Sequence, residues 1–275
     1  GDAPGTPAFL VMRAWLLGCV SCLSLIAGER RIASYSPGAT QTLLDLGCSA
    51  EIMMATRWCP LPDDHPAARS ADIFLPDLER LLLAKPDLVV IPRMANPLWA
   101  EKCAGAGLRT LVLHRESADS VSRDIRLLGE ATGRSDQALR LSGELTKRPS
   151  GEPRPILIIW DGVMAGPESY LAEPLAAAGW KSALPRGSWL KFDWELLAST
   201  KPEAVLWIQN SPKDGPIGLY AEKVAEMKGL PAIRSLPCVV KERVYQTNNR
   251  SNWLPGSGLT KIHAELPRLR EQVGP

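Results

Sequence analysis

Nine tryptophans against three phenylalanines, in a chain with only three histidines and six cysteines, direct attention to aromatic rings rather than to acid–base or metal chemistry. Trp58 follows Thr56-Arg57 and precedes Cys59-Pro60, Trp189 follows Arg186-Gly187-Ser188, and Trp253 follows Asn252. A tryptophan in a loop offers a large apolar face and one N–H donor, which suits the gripping of a flat, partly apolar surface. These three rings are candidate walls, and Arg93, Tyr170, Asn249, Arg250 and Asn252 are a candidate polar rim. Trp207 lies inside an apolar strand and reads as core, while Trp160 ends a strand and stays open between the two roles. Catalytic motifs are missing. The chain has no H-E-x-x-H, no repeated C-x-x-C, no G-x-S-x-G, no G-x-x-x-x-G-K and no G-x-G-x-x-G after a strand. His65 and His114 read as solvated loop and strand-edge residues, and Cys59 as a metal ligand, half of a disulfide or a buried thiol. The 32 basic and 30 acidic side chains balance too closely to neutralise many phosphates, so nucleic acid is not an expected partner.

Elements that position these residues follow from the pattern of apolar positions. With 275 residues, 45% of them apolar, the chain has enough length and apolar content for a sizeable core in two lobes. Residues 1–28 read as upstream residues and an export signal: Met12-Arg13 leads into the apolar run Ala14 to Gly28, too short to span a bilayer comfortably. Cys19 and Cys22 go with it, leaving Cys48, Cys59, Cys103 and Cys238 with three complete pairings open. Residues 29–118 alternate strands and helices, 119–150 are helical, and 151–275 alternate again. Such alternation predicts two α/β lobes with parallel sheets. One phrase occurs in both. Leu78-Glu79-Arg80-Leu81 runs to Lys85-Pro86-Asp87 and an apolar strand, and Trp194-Glu195-Leu196-Leu197 runs to Lys201-Pro202-Glu203 and another. Gly133 divides the linking segment into two helices, and the second, Ser135 to Lys147, is expected as a strut ~20 Å long that limits closure. Gly256-Ser257-Gly258 reads as a turn into a helix from Leu259.

The opening Arg31-Ile32-Ala33-Ser34-Tyr35-Ser36-Pro37-Gly38, the paired helix-to-strand phrases, Ala165-Gly166-Pro167-Glu168-Ser169-Tyr170 and the late Lys241-Glu242-Arg243-Val244-Tyr245 stretch occur in an order that resembles the helical-backbone class of periplasmic substrate-binding proteins. The linking helix is about two turns shorter than is usual in that class. The resemblance implies two Rossmann-like lobes with a ligand cleft between them, an exported monomer in the periplasm, the permease of an ATP-driven importer as partner, and no cofactor. Cobalamin-binding members are the nearest likeness, through the Trp58 loop, the spacing of Trp189 from Glu195, and Asn252-Trp253, where those relatives carry an acid before the tryptophan. That likeness implies a corrinoid as the transported ligand, with Trp58, Trp189 and Trp253 facing it. It also implies that Glu79 and Glu195, on the two lobe tops, meet arginines of the permease; their other role is to complement the helix dipole. Ferric siderophore or haem is the alternative ligand, with Arg57, Arg93 and Arg250 as the cations available to an anionic chelate. A metal ion is a further alternative, and a two-lobed tetrapyrrole chelatase is the alternative from a different class.

Overall fold

The structure is a computed structural model that describes residues 30–93, 95, 97–114, 118–145, 152–209 and 215–274; the signal-like run, with Cys19 and Cys22, lies outside them. Short apolar runs broken by Lys-Pro or Gly steps make the first lobe alternate: β1 Ile32–Ser34, α1 Pro37–Asp45, β2 Ile52–Thr56, β3 Ala68–Ala71, α2 Leu78–Ala84, β4 Leu88–Pro92, α3 Pro97–Gly105 and β5 Thr110–Leu113. Its five strands are all parallel, in the order β3-β2-β1-β4-β5. Leu88 to Pro92 is buried at every position, as a central strand covered on both faces requires.

After α4 Ala118–Thr132 and α5 Ser135–Glu144, the second lobe runs β6 Arg154–Trp160, β7 Val163–Ala165, α6 Ala172–Ala177, β8 Trp180–Ser182, β9 Trp189–Lys191, α7 Trp194–Thr200, β10 Ala204–Ile208, β11 Gly218–Leu219, α8 Ala221–Gly229, α9 Pro237–Val240, β12 Val244–Thr247 and α10 Leu259–Val273. Its sheet, ordered β11-β12-β10-β6-β7-β9 with β8 beside β6, is mixed and not wholly parallel as expected. The cause is local. Asp161-Gly162, with φ of 48° and 77°, makes a two-residue hairpin turn that sends β7 back antiparallel to β6.

The repeated phrase gives the same helix twice. Asp77 caps α2 through the Arg80 N–H at 2.9 Å, and Asp193 caps α7 through the N–H groups of Glu195 and Leu196. Each helix ends on a lysine in the left-handed region, Lys85 or Lys201, before a proline that cannot continue it.

The linking segment departs from expectation. Gly133 takes φ 75° and Arg134 N–H donates to Gly129 O at 2.7 Å, so the chain reverses and α5 lies alongside α4. A Cβ at Gly129 would sit 2.2 Å from that of Ala138, which shows how closely the pair packs. The element that packs against both lobes is α4, against α1 and α6, while α5 reaches the first lobe through Gln137, whose side chain donates to Asp45 O at 2.6 Å. One apolar core runs through Ile32, Leu43 and Leu88, then Val121 and Ile125 of α4, then Ile156, Leu206 and Leu266. The Gly256-Ser257-Gly258 turn adds a pin between the lobes: Ser257 N–H donates to Thr42 Oγ1 at 3.0 Å, its hydroxyl to Asp45 at 2.6 Å, and Lys261 pairs with Asp45 at 3.4 Å. Gly256 lies so close to the Gly38 carbonyl that a Cβ would sit 2.2 Å from its oxygen.

Candidate functional site

In open α/β sheets the crevice for a ligand lies outside the carboxyl ends of the strands. On the first lobe those ends carry Trp58 after β2, Phe74 and Leu75 after β3, Arg93 after β4 and His114 after β5. On the second they carry Trp160 and Asp161 after β6 and Asn248 to Trp253 after β12.

Trp58 is 59% exposed and is presented by a tightly held loop. Its backbone N–H donates to Thr56 Oγ1 at 3.2 Å, and the buried Cys59 thiol lies 3.2 Å from Thr56 Oγ1 and 3.0 Å from Thr40 Oγ1. Arg69 closes the loop by donating to the carbonyls of Leu61 at 2.8 Å and Pro62 at 2.6 Å. Cys59 is thus a buried anchor. Cys48, Cys103 and Cys238 are likewise buried and unpaired, and burial holds the Cys103 and Cys238 thiols up at about 11. His65 is structural too: Nδ1 accepts the Ala67 N–H, so Nε2 is the protonated nitrogen and donates to Ser49 O. Among the described residues no three His, Cys, Asp or Glu side chains converge as a metal site.

Arg57 stacks on the Trp58 ring at 4.9 Å and faces Asp72 across the paired ends of β2 and β3. Asp72 accepts the N–H groups of Phe74 at 2.8 Å and Leu75 at 3.2 Å, and these bonds first, then Arg57, hold its carboxyl below the ordinary range. This turn leaves Phe74 76% and Leu75 81% exposed beside Trp58. An adjacent pair of fully presented apolar side chains on a fixed turn marks an interaction surface. Sequence reasoning missed both residues; an Asp-x-Phe-Leu-Pro stretch between an edge strand and a capped helix is the signal available.

The second lobe builds its wall differently. Trp189 packs edge-on to Trp160 at 6.5 Å and tilted on Tyr170 at 5.5 Å, and Tyr170 donates its hydroxyl to Trp253 O at 2.9 Å. Arg250 lies 5.4 Å over the Trp160 ring and pairs with Asp161 at 3.6 Å. Trp160, left open from sequence, joins Trp189 in this wall.

Other predicted residues fall elsewhere. Trp253 is completely buried and belongs to the core, because the short helical turn Arg250–Trp253 points it inward against α10; it is not a wall. Asn252 is also buried, and it and the half-buried Asn249 donate to Glu265 Oε1 at 3.2 and 3.4 Å, so Asn252 braces the rim from behind. Burial raises the Glu265 carboxyl, against the lowering effect of those two amides and Arg268. Arg93 is exposed and its N–H donates to Leu113 O at 2.9 Å. Glu79 and Glu195 are exposed in the first turns of the equivalent helices α2 and α7. Trp207, expected in the core, is half-buried between Phe192 and Tyr220, since α7 and α8 leave its face of β10 partly uncovered.

Similarity to known proteins bears on the two-lobed fold as well. The family model described as periplasmic binding protein matches residues 32–250. The chain belongs to the periplasmic binding protein family. Within reach of this family, a vitamin B12-binding protein of Pectobacterium atrosepticum is 25% identical over 136 residues, 49% of each chain. A cobalamin-binding protein of Halobacterium salinarum is 20% identical over 205 residues, 68% of this chain and 56% of that one. The chain therefore spans about half the length of the curated relatives it matches. Among solved structures, the periplasmic haem-binding protein HutB of Vibrio cholerae aligns with a TM-score of 0.70 at 17% identity, covering 90% of this chain and 100% of that one. The periplasmic vitamin B12-binding protein BtuF of the same organism aligns with a TM-score of 0.65 at 16% identity, over 89% and 97%. These likenesses establish the two-lobed fold. The relatives named are binding proteins rather than enzymes. No helix among the described residues is long and apolar enough to cross a membrane.

Proposed function

We propose that this family member is the exported substrate-binding component of an ATP-driven importer, that its ligand is a corrinoid held between the Trp58–Phe74 edge and the Trp160–Trp189 wall, and that it releases this ligand to a membrane permease. The observation that carries the choice of ligand is the state of the arginines. Arg250 is paired with Asp161, and Arg57 lies over the Trp58 ring with its charge reaching Asp72, so two of the three cations named for an anionic chelate are engaged within their own lobe. Beside the exposed Arg93, the surface offers flat apolar ring and neutral amide, which complements a corrin with its carboxamide fringe. Haem iron takes an axial His, Tyr, Cys or Met; here the Tyr170 hydroxyl is engaged by Trp253 O and Cys59 is buried, which leaves His114 after β5 as the axial candidate to be tested. The lobes' common core and the Thr42–Ser257 pin favour a preformed cleft, which lowers the ordering cost of binding. Glu79 and Glu195 are the groups that would meet permease arginines.

Calorimetric titration of the purified protein with cyanocobalamin, haemin and a ferric siderophore tests the assignment. Saturable 1:1 binding of cyanocobalamin at micromolar dissociation constant or tighter, with weaker binding of the anionic chelates, is expected. Tighter binding of haemin or the siderophore overturns the ligand and leaves the receptor reading in place. The double variant Glu79→Ala, Glu195→Ala is expected to retain ligand affinity and lose uptake in cells; uptake at the wild-type rate would remove the docking role.

A further inference from the structure

Beyond the aromatic wall, the carboxyl edge of the second sheet holds a pocket of about 430 Å³ whose lining includes Gln209, Leu219, Tyr220, Glu222, Gln246 and Asn248. It abuts the wall. Gln209 follows Ile208, which is paired in register with Trp160 one strand away, about 5 Å. Asn248 precedes by two residues Arg250, the cation that covers Trp160. The pocket opens on the other face of the sheet: Gln246 is in register with Trp207, whose ring packs on Tyr220, and side chains two apart on a strand share a face. Trp160 faces the opposite cluster, with Ile156 and Ile158. A ligand leaning on Trp160 and Trp189 therefore has this pocket just over the edge, within reach of a side arm.

The chemistry of the lining is specific. Among the described residues, the side chains of Gln209, Gln246, Asn248 and Glu222 make no hydrogen bond or ion pair with the protein. Three carboxamides supply donors and acceptors together, and Glu222 and the Tyr220 hydroxyl add acceptors. Among the described residues no lysine or arginine lines the pocket; Lys223, 5.8 Å over the Tyr220 ring beside it, bonds Glu226 at 2.5 Å. We infer that this pocket receives one neutral carboxamide arm of the ligand and rejects a carboxylate in its place, making it a specificity subsite of the receptor. The inference rests on the corrinoid reading above. A carboxamide arm both donates and accepts, matching the lining, whereas a carboxylate only accepts and would face Glu222.

The experiment compares cyanocobalamin with its separated monocarboxylic derivatives, in each of which one peripheral carboxamide has been hydrolysed. In the wild-type protein one isomer is expected to bind about tenfold or more weakly than the parent and the others to bind as the parent does, a gap on the scale of placing a like charge against a charge. In Glu222→Gln the gap for that isomer should close to within about threefold, and Asn248→Ala should reduce affinity for cyanocobalamin with little further loss for that isomer. Trp189→Ala should weaken every ligand alike and preserve the gap. Melting curves check that each variant is folded. Isomers that all match the parent, or a gap untouched by both Glu222→Gln and Asn248→Ala, overturn the subsite while leaving the corrinoid reading intact. Failure of cyanocobalamin itself to bind overturns the corrinoid reading and the subsite with it.

Discussion

The two lobes repeat one helix-to-strand phrase with the same caps, yet present their aromatic groups in opposite ways. On the first lobe Trp58, Phe74 and Leu75 stand into solvent on turns held by Thr56, Arg69 and Asp72. On the second, Trp160 is 8% exposed and is packed with Trp189, Tyr170 and Arg250 into one cluster. The first arrangement leaves apolar surface whose burial is gained only on binding, and the second fixes a wall in advance at the expense of accessible area. An all-parallel sheet explains the first, since the connections at its carboxyl ends, 57–67 after β2 and 72–77 after β3, present these groups on turns of their own. The Asp161-Gly162 hairpin explains the second, since it folds β7 and β9 back across the end of β6 and brings Trp189 to Trp160.

This contrast orders the expected effects of substitution. The largest loss falls behind the packed wall, where Trp253→Ala should remove about 3–5 kcal/mol of unfolding free energy in a denaturant titration. A cost under 1 kcal/mol would mean that Trp253 is not the core residue described. Next, Trp189→Ala should weaken cyanocobalamin binding by roughly 2 kcal/mol, about thirtyfold, and also lower the melting temperature, because its ring is shared between wall and core. Trp58→Ala and Phe74→Ala should each weaken binding about three- to tenfold while changing stability by no more than about 0.5 kcal/mol. Equal stability losses in both lobes would erase the distinction between a presented and a packed wall. His114→Ala should leave cyanocobalamin affinity unchanged; a loss confined to haemin would identify His114 as an axial ligand instead.

The smallest effect is expected in the brace behind the rim. Burial raises the folded pKa of Glu265 above its ordinary 4.5, so the folded protein holds that proton more tightly than the unfolded chain does. The group's contribution is therefore favourable below its ordinary pKa and is lost as pH rises through the raised value. Glu265→Gln keeps an acceptor for Asn249 and Asn252 without the buried charge, and should melt slightly above wild type at pH 7 and together with it at pH 4. A lower melting temperature at pH 7 would show that the charge itself holds the two amides.

Element grammar was largely legible, because Lys-Pro-acid stops, Asp caps and continuous apolar strands are local signals that tertiary packing did not override. Even so, the antiparallel part of the second sheet was readable in Asp161-Gly162 and was passed over, because the Ile156–Trp160 run suggests a parallel strand. The strut failed for a different reason: a glycine between two helices marks a break but leaves the angle open, and only the Gly129–Ala138 contact decides for side-by-side packing. Of the proposed walls, Trp58 and Trp189 keep part of their rings at the surface and Trp253 is buried, since loop position in sequence says nothing about which way a short helical turn points a ring. Phe74 and Leu75 were hidden by the opposite bias, in which apolar residues next to a helix are assumed to pack.

The most direct test of the central claim is a crystal structure of the protein with cyanocobalamin. The corrin ring is expected between the lobes, with one face toward Trp58 and Phe74, the Trp160–Trp189 wall on the other side, and a carboxamide arm directed at Gln246 and Asn248. A ring bound away from these carboxyl edges, or a cleft that stays empty at saturating ligand, would contradict the account.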